Sequence, residues 1–140
     1  MSTIVTRSGK GTPLTHAELD SNFSNLNTDK AGYVTGEGGA VSQATSKATG
    51  VTLNKRCGQI TLNGAALAAA TTVSFTLTNS TIVATDIVVL NHVSVGNLGD
   101  YALNARAAAG SATIAVRNLT AGSLSDALVV GFAVIKATAA

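Results

Sequence analysis

A mainly β chain, with a small β-sandwich or jelly-roll-like domain preceded by an N-terminal arm and one short helix, is what this sequence predicts. Three observations predict it. From Val51 onward, apolar and polar residues alternate over short runs, the period of half-buried strands. Turn residues separate those runs, at Asn63-Gly64, Asn79-Ser80, Asn97 to Asp100, Gly110 and Gly122-Ser123. One stretch near the start carries a helical stripe instead.

Residues 1–13 read as a polar arm, with Ile4 and Val5 as its apolar pair. The helix follows at about His16 to Asn27. Thr15 is its N-cap and Glu18 stands three residues on, the spacing of a capping box. Leu14 precedes the cap and Leu19 follows it, the pair of a hydrophobic staple. Pro13 holds Thr12 extended until the cap is reached. Leu19, Phe23 and Leu26 then form one stripe. Asn22, Asn25 and Asn27 are poor helix formers, and isolated helices below ~12–15 residues are marginal in water. A helix so carefully started and so short is held by something else. Its stripe packs either on the chain's own β domain or on symmetry mates or a neighbouring protein; in the second case it is the anchor contact, made by Leu19, Phe23 and Leu26 with Leu14 fixing the entry angle.

Residues 28–50 are rich in Gly, Ser and Thr and read as a linker, so the division is 1–50 for arm, helix and linker and 51–140 for the β head. In the head, Val73, Phe75 and Leu77 share one face of a strand, and Ala112, Ile114 and Val116 share one face of another. Further strands are expected at Val51–Asn54, Gly58–Leu62 and Tyr101–Ala107. The run Asp86 to Val93 is more nearly continuous, as for a strand covered on both faces. Leu128 to Ile135 is also nearly continuous, and its lack of charge places it centrally or at a subunit contact. Phe75 and Phe132 read as core, Tyr33 and Tyr101 as surface. The exposed contacts expected on the head are Asn97, Asp100 and Tyr101, in the loop 95–101, together with the loop 121–126.

Charge and chemistry exclude most other functions. Charged residues make up 11% of the chain, against about 25% in an average globular protein. Beyond residue 56 there are three basic and three acidic groups: Arg106, Arg117, Lys136, Asp86, Asp100 and Asp126. So sparse a charge means that Thr, Ser and Asn serve as surface or that much of the surface is covered by other subunits; the second is the expectation, with the first contributing. A net charge of +2, without a basic patch, gives no basis for binding nucleic acid. No apolar run approaches the ~20 residues of a membrane-spanning helix, and no signal peptide is visible. Asp86 and His92 lie too far apart on one strand to share a triad. No carboxylate pair is spaced for acid–base work, which weighs against a glycan depolymerase. No metal-ligand spacing occurs, so no cofactor or metal is expected, and His16 and His92 would need a symmetry axis to form a site. Cys57, the single cysteine, reads as a small buried hydrophobe.

The segment Lys10 to Leu26, KGTPLTHAELDSNFSNL, resembles a segment of tailed-bacteriophage structural proteins, frequent in tail fibre and related appendage proteins. Its sense there is G-x-P-L-T-x-x-E-x-D-x-N-F-x-x-L. The stretches Gly39 to Asn54 and Cys57 to Lys136 look like a small β domain that ends longer fibre-like chains. The resemblance implies a non-enzymatic virion component, assembled in the host cytoplasm and trimeric. Its partners would be itself, other tail or capsid proteins, and a host-surface glycan or protein. This chain departs from the pattern in having no long shaft. That leaves a short fibre or spike anchored by the N-terminal helix, or a capsid decoration (cement) protein that stabilises the head.

Overall fold

A computed structural model of the chain describes residues 4–28 and 36–137, with the backbone alone for 26–28. Two helices come first, α1 (Arg7–Lys10) and α2 (His16–Thr28). Eight strands follow: β1 (Ala40–Ser42), β2 (Val51–Thr52), β3 (Cys57–Thr61), β4 (Thr72–Thr78), β5 (Ile87–Ser94), β6 (Tyr101–Ala108), β7 (Ser111–Asn118) and β8 (Val129–Ile135). They form two four-stranded sheets, ordered β1-β3-β8-β5 and β2-β4-β7-β6. The chain is a β-sandwich.

The strands alternate between sheets until β6 and β7, which make a hairpin about Ala109-Gly110, with Gly110 at φ 72°. All central pairings are antiparallel, but β1 runs parallel to β3 and β2 parallel to β4. These two short strands lie at one end of both sheets. At the other end β5 and β6 lie against each other.

Alternation explains the core. From one sheet, Phe75, Leu77, Ala112, Ile114 and Val116 point inward; from the other, Ile60, Val130, Phe132 and Val134 meet them. Each Val, Leu, Ile or Phe so buried contributes about 1.5–3 kcal/mol relative to exposure. Leu62, Leu67, Ile82 and Leu128 close the ends. Among the described side chains, none of α1 or α2 belongs to this core.

Several expectations are corrected here. The stretch read as linker supplies β1 and two buried polar residues, Gln43 and Lys47, so the β unit takes in residues from Ala40. β5 is not covered on both faces. It is the edge strand of its sheet, and Ile87, Val89 and Val93 on its outer side are 56%, 46% and 42% exposed. Cys57 is half-buried on the outer face rather than in the core. β8 is central, as its lack of charge requires. Tyr33 lies outside the described residues.

Candidate interaction surfaces

The N-terminal cap forms as its spacing demands. The Thr15 N–H donates to Glu18 Oε2 at 2.7 Å, and the Glu18 N–H donates back to Thr15 Oγ1 at 3.2 Å. Lys10 Nζ, at the end of α1, adds an ion pair to the same carboxylate at 2.5 Å. That hydrogen bond from Lys10, followed by the one from Thr15, lowers the Glu18 pKa from 4.5 to about 2. α1 owes its four residues to Thr6, whose side chain accepts from the Gly9 N–H, and to Gly11, left-handed at φ 74°.

A second clasp was not legible beforehand. Asn22 accepts from the Val5 N–H at 2.8 Å and donates to the Val5 carbonyl at 2.7 Å. A side chain that is poor for helix propensity thus bonds both backbone groups of the arm, which folds back along α2. Lys10 and Asn22 together tie arm to helix. The stripe itself remains open, with Leu19 45% and Phe23 66% exposed. Leu14 is half-buried, and the Leu26 side chain lies outside the description.

The loop between β5 and β6 is built on its own bonds. Asn97 Nδ2 donates to Asp100 Oδ2 at 3.2 Å, and the Asp100 N–H to the Asn97 carbonyl at 3.3 Å. Both expected contact residues are therefore engaged in shaping the turn. Its tip is Leu98, 85% exposed, which the sequence reading passed over. Gly96 and Gly99 supply positive φ, and so does Val95 at φ 64°, an unfavourable conformation for a β-branched residue. His92 Nε2 steadies that turn by donating to the Val95 carbonyl at 2.6 Å.

Tyr101 faces inward at the loop's end. Its hydroxyl donates to Asp126 Oδ2 at 2.8 Å, which joins the two loops expected to form the head surface. Burial and that carboxylate raise the phenol's pKa to about 12. Next to it, buried Lys47 donates to the Asn63 and Asp126 carbonyls. This cluster is saturated by its own hydrogen bonds. Among the described residues no group of His, Cys, Asp or Glu could hold a metal ion, and no helix is long and apolar enough to cross a membrane.

The two outer sheet faces differ in kind. On the β4-β7-β6 sheet the outward positions include Thr72, Ser74, Thr76, Thr113, Arg117 and Arg106. On the β3-β8-β5 sheet they include Ile87, Val89, Val93, Ile135, Ala133 and Cys57, with uncharged Asn91 and Gln59 as the exposed polar residues among them. No charged side chain stands on these outer positions of β3, β8 and β5. A shallow trough of 350 Å³ runs over Gly131 and Ala133, between the valines of β5 and Cys57 and Gln59 of β3. No known protein family, characterised protein or solved structure matches the chain.

Proposed function

We propose that this chain is a non-enzymatic structural protein of a bacteriophage virion. It forms a short fibre- or spike-like appendage, anchored by α2, with the sandwich carried outward and available for host attachment. The observation that carries the reading is the open stripe of α2. Leu19 and Phe23 are exposed on a helix that is capped, clasped by its own arm and, in its described side chains, absent from the sandwich core. Such a stripe is the apolar face of a helix awaiting a partner. The resemblance of Lys10 to Leu26 to phage appendage segments names the kind of partner, another virion protein or further copies of the helix in a trimer. The saturated polar clusters favour a binding or structural role over catalysis.

Only residues 29–39 separate α2 from β1, which limits the head's stand-off to about 40 Å even when fully extended. That short reach also supports the alternative reading, a decoration protein seated on the capsid.

Particles assembled with the Leu19→Asp/Phe23→Asp double variant test the anchor. Incorporation is expected to fall at least ~10-fold, the effect of losing about 1.4 kcal/mol of binding. Normal incorporation would overturn the anchor. Immunogold labelling of the sandwich on parent particles then separates tail from capsid placement.

A further inference from the structure

We infer that the outer face of β3, β8 and β5 is a contact between two copies of this chain, closed about a two-fold axis. The inference rests on the sandwich itself and not on the virion reading. The molecule carries its own control. One outer face is lined with Thr, Ser, Asn and Arg, the coding expected for water. The other, built on the same alternation, presents Ile87, Val89, Val93 and Ile135, each 42–56% exposed. β5 is an eight-residue edge strand with no proline, Lys, Arg, Asp or Glu. A register shift between His92 and Ser94 and the contact with β6 guard its edge, so it is the outer face that is left open.

Shape and charge select a second copy as the cover. On this face a ridge and a trough lie side by side. The ridge is β5, with Val89 and Val93; the trough is floored by Gly131 and Ala133 on the neighbouring β8. Gly131 keeps that floor low, since a Cβ there would meet Val93 Cγ2 at 2.9 Å. A two-fold axis in the interface plane, parallel to the strands, puts each copy's ridge over the other's trough. The contact is then isologous, each patch being its own complement. A face without charges meets its copy without repulsion.

The size of the face sets the strength. Strands of seven or eight residues, spaced about 5 Å apart, give a footprint of only a few hundred Å². Stable interfaces bury roughly 800 Å² per partner. The pair is therefore weak in free solution, with a Kd on the order of 0.1 mM. It closes when copies are held close together by another attachment. A self-complementary face that meets its copy about a two-fold axis closes a pair and not a three-fold ring. The trimer proposed above thus belongs to the α2 segment, while the sheet joins heads two by two.

Sedimentation of the full-length Leu19→Asp/Phe23→Asp chain removes the helix contribution and isolates the sheet. Between about 10 μM and 1 mM its mass is expected to rise toward twice 13.9 kDa. Cys57 lines the trough and is the chain's single thiol, so its maleimide labelling should slow about 4-fold across that range, with ~80% of the chains paired at its top. Adding Val89→Lys should abolish both effects, and the near-isosteric Asn91→Asp should weaken both. Ser74→Lys, the same charge on the opposite face, should change neither. A chain still monomeric at the highest concentration would overturn the inference. So would a dimer with unchanged Cys57 labelling, or association that survives both face variants. Val89→Lys in the parent background leaves α2 intact, so failure of the anchor and failure of the sheet contact are read separately.

Discussion

At the scale of single residues, two buried asparagines each organise a strand end. Asn79 and Asn118 are both fully buried, just after β4 and at the end of β7. Each uses its Oδ1 to accept the backbone N–H and the hydroxyl of the threonine two residues on, Thr81 and Thr120. Each thereby builds a tight polar turn at a strand end. Both triplets have the Asn-x-Thr form of a glycosylation acceptor, but here the amides point into the protein. Asn118 has the larger role, because its Nδ2 donates to the carbonyls of Leu67, Ala68 and Gly122. Asn118→Ala removes these donations, although each carbonyl keeps another donor (Leu124 N–H, Thr71 and Thr120 Oγ1), and it leaves the Thr120 N–H without its acceptor. It should lower stability by about 1–3 kcal/mol, read as a lower urea midpoint at unchanged slope. A loss below about 0.5 kcal/mol would mean that water replaces the amide.

At the scale of elements, α2 is stabilised at its start by one carboxylate. The Glu18 pKa is lowered in the fold, so the sign is fixed. Its contribution is complete above its ordinary pKa of 4.5 and is lost as pH falls toward about 2. Helical circular dichroism should therefore fade across that interval, and Glu18→Gln should remove most of the change. Equal fading in both chains would assign the loss to other groups. The cap was legible in Thr15 and Glu18, because capping depends on sequence spacing alone. The main strands were legible for the same reason, since period two shows in Thr72–Thr78 and Ser111–Asn118 without any partner. β1 was not, because its three residues follow a glycine-rich stretch and are fixed only by parallel pairing with β3. The exposure of β5 was hidden as well. A continuous apolar run states that both faces are apolar and not which of them the chain itself covers. Of the expected surface residues, Asn97 and Asp100 turned out to bond each other, while Leu98 between them points out. Loop geometry of that kind depends on φ values that no residue pattern prints.

At the scale of the whole molecule, one lysine straps the sandwich shut. Residues 43–50 cross from β1 in one sheet to β2 in the other, and those strands are too short to hold themselves. Gln43 bonds the Lys47 and Thr49 carbonyls, which fixes the crossing. Lys47, 3% exposed, reaches the carbonyls of Asn63 and Asp126. Asp126 in turn holds Tyr101, so the strap, two loops and β6 share one network. Burial lowers the Lys47 pKa, against the opposing pull of Asp126. The unfolded chain then binds the proton more tightly than the folded one, and stability rises with pH as the unfolded value of 10.5 is approached. Tyr101 acts the other way. Its raised pKa makes stability fall as pH climbs from 10 toward about 12, so the Lys47 effect stands alone only below pH 10. Lys47→Met keeps most of the buried stem and removes two charge-assisted bonds. It should cost about 2–4 kcal/mol at neutral pH. The difference between parent and variant should widen as pH rises from neutrality toward about 10, in the parent's favour. A constant difference across that window would show that Lys47 keeps its proton as readily folded as unfolded. The strap would then hold by packing rather than by a charge drawn out of water.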